Sequence, residues 1–313
     1  MPIDTAANHG RFVVTDGADR FAVVRPWQRP GPDGSDVQAI SQLALDRHGR
    51  VFVLQRTEPA LRIYAPDGTL ERSFHHPPLL DSGHGLHVDA QDRLWVTTYD
   101  AHQVLAFDAD LRLSMVLGRH HVPSWERPFN HPTGVHVAAD GDIYVSDGYG
   151  NARIHRFAPD GQLRRSWGRS GREPGAFNTP HAVWVLPDGR VLCADRDNDR
   201  IQVFDGKGTL LAVWDGLVRP MALWAPADGR TLYVSEQVPR ISRLDARDGK
   251  VLGRARAFGI YAHGLAGDAA GNLYVAEQGS VSLVAQYRKL DPIDSIDSTG
   301  LTDPYGSTLP AQP

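Results

Sequence analysis

A single cysteine among 313 residues, Cys193, excludes any intrachain disulfide. Its surroundings, Val191-Leu192-Cys193-Ala194-Asp195, read as an apolar strand, so the thiol is expected to be buried and inert. Long apolar runs are missing too. No stretch approaches the roughly 20 apolar residues that span a bilayer, so no membrane partner is expected. Positive charge is not in excess: 33 Lys and Arg stand against 37 Asp and Glu, a net charge of −4. That leaves no broad cationic surface for a phosphate backbone and argues against nucleic acid. The start, Met1-Pro2-Ile3-Asp4-Thr5, lacks the basic residues and apolar core of a secretory signal. With the lone thiol, this leads to the expectation of a cytoplasmic protein. Sustained helical periodicity is also absent, which excludes a doubly wound sheet with helices between its strands.

What the chain does have is turn residues and a repeat. The 31 Gly and 22 Pro suit a turn-rich globular protein, and a 41% hydrophobic fraction is enough for a sizeable core. One unit runs from His131-Pro132-Thr133-Gly134-Val135-His136-Val137 through Asp140-Gly141 to Ile143-Tyr144-Val145-Ser146-Asp147, then Arg153 to Phe157. A second runs from Thr179-Pro180-His181-Ala182-Val183-Trp184-Val185 through Asp188-Gly189 to Val191–Asp195, then Arg200 to Phe204. Weaker copies begin near Ser41, His84, Met221 and His263. Six units of roughly 40 to 50 residues, each made of short strands and Asp-Gly turns, read as an all-β, six-bladed β-propeller. The final unit is short of strands, while Phe12-Val13-Val14 and Phe21-Ala22-Val23-Val24 precede the first. An N-terminal strand is therefore expected to close the ring and protect the sheet edges. Residues 1–290 read as this single domain, and 291–313 as a polar tail, loop or disordered.

Aligned on their first strand, the six units place Ser41, His84, Thr133, His181, Met221 and His263 at one position. The histidines alternate, each about two repeats from the last. First strands of a propeller line its channel, so three imidazoles from alternate blades converge on one axis with approximate threefold symmetry. Such a tripod leaves a coordination position open, the pattern of a catalytic zinc site, although His tripods accept other transition metals. A single channel histidine bonded to a carbonyl would be unremarkable, and it is the alternation that selects these three from 14. His87, His102, His131, His136 and His155 fall off the repeated position and are set aside.

Arg56 and Arg196 both follow the second strand of their units, where a guanidinium at the channel mouth can bind a carboxylate. Tyr149 lies in the corresponding turn, Asp147-Gly148-Tyr149-Gly150-Asn151, where a neighbouring cation would lower its pKa toward general-base work.

These residues resemble the peptidyl-α-hydroxyglycine α-amidating lyase family, itself built on NHL-type repeats. The resemblance is carried by His84-Gly85-Leu86, by Leu94-Trp95-Val96-Thr97, by Val145-Ser146-Asp147-Gly148-Tyr149-Gly150-Asn151-Ala152-Arg153-Ile154, by Pro180-His181, and by Ala194-Asp195-Arg196-Asp197-Asn198-Asp199-Arg200. It covers most of residues 40 to 280 and is densest from 127 to 205. It implies Zn²⁺ on His84, His181 and His263, a catalytic Tyr149, and carboxylate binding by Arg196 and Arg56. The implied reaction cleaves the carbon-nitrogen bond of a small-molecule or peptide-terminal N-acyl-α-hydroxyglycine to an amide and glyoxylate.

Two departures concern the channel. Gly264 replaces an Asp that helps to hold a structural Ca²⁺ in the family, which leaves calcium there without its charged ligand. Tyr261 replaces the Met just before the third histidine. Tyr261 and Met221 are accordingly taken as pocket-wall residues that touch substrate. The residues alone leave two other classes open: a propeller lyase or hydrolase acting on another small substrate, and a non-catalytic NHL scaffold that binds protein.

Overall fold

The computed structural model describes residues 12–75 and 82–291; the polar tail lies outside them from residue 292 onward. Six antiparallel sheets are arranged as blades, five of four strands and one of five. The five-stranded blade joins the two ends of the chain: Phe12–Thr15 pairs with Arg20–Val24, which pairs with Leu283–Leu290. Ring closure thus uses two N-terminal strands, one more than a four-stranded blade needs. No helix among the described residues is long and apolar enough to cross a membrane.

The second strands of several blades do not alternate between buried and exposed residues. Val51–Gln55, Leu94–Thr98, Ile143–Asp147 and Val191–Asp195 are buried along their whole length. Each is covered on both faces by neighbouring blades, which favours continuous apolar runs over alternation. Outer strands such as Leu113–Gly118 are largely exposed. The core is accordingly divided into six clusters, one in each seam between adjacent blades. In the seam between the second and third blades Trp95, Phe129, Val135, Ile143 and Phe157 pack together. Cys193 is fully buried in the next seam, and burial raises its thiol pKa well above the ordinary value, so inertness is what the fold enforces.

Three devices recur in the blades and aim side chains at the channel. Every innermost strand carries a register shift at the aligned position, spanning Ser41, His84, Thr133, His181, Met221 and His263 in turn. A β-bulge kinks the strand and re-aims its side chain, so the position singled out by the repeat is a bulge in all six blades. Five of these strands are preceded by a residue in the left-handed region, Ala39, Ser82, His131, Thr179 and Arg219, with φ between 44° and 61°. Non-glycine residues held there carry strain that the surrounding structure must overcome.

The third device is a cap. A side chain at the end of the second strand, the last residue or in the final blade the one before it, accepts a hydrogen bond from the backbone just before the innermost strand: Asn130 N to Asp147, Asn178 N to Asp195, Val218 N to Glu236, Phe258 N to Glu277 and Gln38 N to Gln55. These caps are buried and richly bonded. Asp195, for example, also accepts from Arg200, Gln202 and Asn198 at 2.8–3.0 Å. A buried carboxylate is tolerable only with such full satisfaction. The residue after each cap sits at the channel mouth, and two of these are Arg56 and Arg196.

Candidate metal centre

His84, His181 and His263 meet on the axis. Their ring centroids are 4.9 to 5.3 Å apart and their planes are inclined at 72° to 75°, a near-threefold array. Their ligand nitrogens all lie within 4.8 Å of one another, and all three rings are buried.

The alternation has a structural cause. Each histidine leans on the backbone of the following blade, whose bulge residue supplies a carbonyl. His84 Nδ1 donates to Thr133 O and His181 Nδ1 to Met221 O, both at 2.7 Å. His263 faces the Ser41 carbonyl in the same way, with Nδ1 short of full hydrogen-bond geometry. A carbonyl only accepts, so Nδ1 of His84 and His181 carries the proton and Nε2 presents its lone pair to the axis. Burial pushes all three rings down in pKa, His84 to about 3, and the nearby charges of Arg196 and, for His84 and His263, Arg56 push the same way. They are neutral at ordinary pH, as metal ligands must be.

Tyr149 completes the cluster. Its hydroxyl stands 2.9 Å from His84 Nε2 and 3.1 Å from His181 Nε2. One phenolic proton cannot serve two acceptor nitrogens, so the cluster is one positive partner short of satisfying its lone pairs. A divalent cation would supply what is missing, and three neutral imidazoles, two of them with tautomers fixed by carbonyls, suit zinc or another transition ion. Tyr149 is 40% exposed as a residue, while its hydroxyl faces the imidazoles. Burial raises the hydroxyl pKa and outweighs the opposing pull of Arg196 and Arg56, so the lowering expected from a neighbouring cation does not come from the arginines alone.

The two arginines differ. Arg196 is held by Asp197, Nε to Oδ1 at 3.1 Å and Nη2 to Oδ2 at 3.2 Å, and its Nη1 reaches the Tyr149 hydroxyl at 3.4 Å. Arg56 is exposed, lies over the Tyr99 ring with Cζ 6.0 Å from the centroid, and has no acidic partner among the described residues. Both cations depress the pKa of His84, so their fields converge on the tripod.

A recess of about 310 Å³ above the tripod is lined by Arg56, His84, Tyr99, His131 and Tyr149. The sequence reading does not single out Tyr99 and sets His131 aside, yet both line this recess. Tyr99 follows the second strand of its blade just as Arg56 and Arg196 do, so the repeat position was the available signal. His131 is the left-handed residue before its innermost strand and has no such signal. Met221 is buried at its bulge, and the role visible for it is the carbonyl that orients His181. Tyr261 lies beside His263, ring centroids 6.3 Å apart, and donates its hydroxyl to Gln278 Oε1 at 2.8 Å. Below the tripod, a Cβ at Gly264 would collide with Oε1 of Gln42, so a neutral amide fills the room where the resemblance implied a carboxylate.

The NHL repeat is matched by residues 129–157. The chain is a six-bladed β-propeller that contains an NHL repeat and is similar over part of its length to the peptidyl-α-hydroxyglycine α-amidating lyases. It is 39% identical over 133 residues to peptidyl-alpha-hydroxyglycine alpha-amidating lyase 1 of Drosophila melanogaster, covering 39% of this chain and 25% of that protein. It is 40% identical over 130 residues to peptidylglycine alpha-amidating monooxygenase of Rattus norvegicus, 39% of this chain and 13% of the rat protein. The matched stretch is therefore a minor part of these relatives. A longer match, 30% identical over 218 residues, joins it to NHL repeat-containing protein 3 of Mus musculus, with 63% of this chain and 61% of that one covered. Among solved structures, a streptogramin B lyase superposes with a TM-score of 0.61 at 13% identity, covering 88% of this chain and 97% of its own. At that identity the likeness speaks for the fold alone.

Proposed function

We propose that this protein is a metal-dependent carbon-nitrogen lyase that converts an N-acyl-α-hydroxyglycine to the corresponding amide and glyoxylate. The observation that carries this reading is the clustering of three buried imidazoles with the Tyr149 hydroxyl, which touches two of them, and with two guanidinium groups whose charge acts on His84.

Held by His84, His181 and His263, a zinc ion would supply Lewis acidity that makes a substrate hydroxyl easier to deprotonate. Arg56, which has no acidic partner among the described residues, binds the substrate carboxylate, and Arg196 adds its charge from the other side. The pair holds the α-carbon beneath Tyr149 and over the imidazoles. Tyr149 as phenolate accepts the α-hydroxyl proton. The carbon-nitrogen bond breaks as the carbon-oxygen double bond of glyoxylate forms, and the bonding pair leaves on the amide nitrogen. That nitrogen takes one proton to become the amide, and the proton on Tyr149 is the one at hand, so no net proton is consumed. Burial opposes forming the phenolate, whereas Arg196, Arg56 and a bound cation favour it.

The test is product stoichiometry. Purified zinc-loaded protein given α-hydroxyhippurate should release benzamide and glyoxylate in equal amounts, faster than the spontaneous reaction. Release of benzoate instead would indicate hydrolysis of the acyl bond and reject the lyase assignment.

A further inference from the structure

The channel mouth is set by one repeated backbone contact. Arg56, Tyr99, Tyr149, Arg196 and Gln237 come from five consecutive blades. Each donates its backbone N–H to the carbonyl of the left-handed residue before the innermost strand, Ala39, Ser82, His131, Thr179 and Arg219 respectively, at 3.0–3.3 Å. Tyr99 and Tyr149 are therefore structural counterparts, although Gly148 adds one residue after the cap in the third blade.

Their surroundings match as well. The Arg196 guanidinium lies over the Tyr149 ring, Cζ 5.5 Å from the centroid, and Arg56 lies over Tyr99 at 6.0 Å. The two tyrosine rings meet edge to face, 6.0 Å apart at 72°, and each also meets His84 edge to face, at 5.9 Å for Tyr99 and 5.1 Å for Tyr149. Arg56, Tyr99, Tyr149 and Arg196 thus form a row beside His84.

The two arginines of this row are held differently. Arg196 has Asp197 and the Tyr149 hydroxyl. Arg56 has no acidic partner among the described residues, so the Tyr99 ring is the contact that limits where its long side chain can lie. A guanidinium within about 6 Å of an aromatic face is attracted by the quadrupole of the ring. The ring itself is hemmed in by His84, Tyr149 and His131, the last with its centroid 6.5 Å away. Holding Arg56 in advance removes part of the ordering cost of closing a flexible side chain on a ligand.

Building on the lyase reading above, we propose that Tyr99 is a positioning residue for Arg56. Its ring is the platform that keeps the guanidinium over the metal recess, where the substrate carboxylate binds, and it does for Arg56 what Asp197 does for Arg196. The role belongs to the aromatic face; the hydroxyl takes no part in it.

The test is a double-substitution cycle read by binding of N-acetylglycine, which carries the carboxylate and lacks the α-hydroxyl, so that turnover does not enter. In the zinc-loaded protein Tyr99→Leu and Tyr99→Met should each weaken binding about two- to fivefold. Tyr99→Phe, which keeps the ring, should restore most of the affinity. In an Arg56→Gln background the same substitutions should have almost no further effect, because the platform then has nothing to hold. With α-hydroxyhippurate the loss should appear in KM and not in kcat. Three results would overturn the proposal: weakening by Tyr99→Phe equal to that by Tyr99→Leu, an undiminished effect of Tyr99→Leu in the Arg56→Gln background, or failure of the wild-type protein to bind N-acetylglycine. Coupling of Tyr99 to Arg56 in a protein that releases no glyoxylate would uphold the platform and reject the lyase reading instead.

Discussion

The Tyr149 hydroxyl lies 2.9 Å from His84 Nε2 and 3.1 Å from His181 Nε2, so the group assigned to proton transfer touches two of the three candidate metal ligands. Replacing Tyr149 by Phe removes the proton acceptor and keeps the ring. Turnover should fall by roughly 10²- to 10⁴-fold, the usual contribution of a positioned acid-base group, with metal content unchanged. Loss of metal from the Tyr149→Phe protein, measured by elemental analysis, would mean that the hydroxyl holds the ion instead.

Metal binding should stabilise the fold, because the three lone pairs converge only in the folded chain. Zinc at about a hundred times its dissociation constant should add roughly 2.7 kcal/mol and raise the melting temperature; a chelator should reverse this. His263→Ala should abolish the zinc-dependent shift. A melting temperature indifferent to zinc would count against the tripod as a metal site.

Arg56 and Arg196 should separate kinetically. Arg56 is exposed and has no acidic partner among the described residues, so Arg56→Gln should raise KM with little loss of stability. Arg196 is tied to Asp197 and reaches Tyr149, so Arg196→Gln should lower kcat as well. Identical kinetic profiles for the two variants would remove the distinction drawn here.

The pH dependence of stability has a direction. Burial lowers His87 from its ordinary 6.5 to about 4. Between those values the unfolded chain binds a proton that the folded chain refuses, so stability is complete above 6.5 and is lost as the pH falls toward 4. The slope from one such group is about 1.4 kcal/mol per pH unit. His87→Gln should flatten the stability curve across this window. An unchanged slope in denaturant titrations at pH 5 and 6 would show that His87 is protonated in the folded protein.

How much of this was legible in the sequence depended on the repeat. His84, His181 and His263 could be read because a fixed position recurs in six copies, and alternation among six is a pattern that survives one-dimensional inspection. The reason for the alternation was not legible, since it lies in carbonyls of Thr133, Met221 and Ser41 that belong to neighbouring blades. Tyr99 escaped notice because its repeat position holds chemically unlike residues in other blades. The caps were hidden for the same reason: Gln55, Asp147, Asp195, Glu236 and Glu277 share a place and a hydrogen bond, not a side chain. The pairing of Arg56 with Tyr99 was out of reach altogether, because the two belong to neighbouring blades.

The caps also make a prediction about stability. Asp195→Ala would leave the buried Arg200 guanidinium without its carboxylate and the Asn178 N–H without an acceptor. Breaking a buried pair from one side costs about 3–5 kcal/mol, and the turn that carries Arg196 should loosen with it. Chemical denaturation should show the loss; a change below about 1 kcal/mol would mean that the remaining bonds around Arg200 suffice.

The most direct measurement of the central claim is glyoxylate release from α-hydroxyhippurate by metal-free protein, by the same protein with one equivalent of zinc, and by His181→Ala under both conditions. The account predicts release only from the wild-type chain with zinc. Release that is independent of zinc, or that survives His181→Ala, would contradict it.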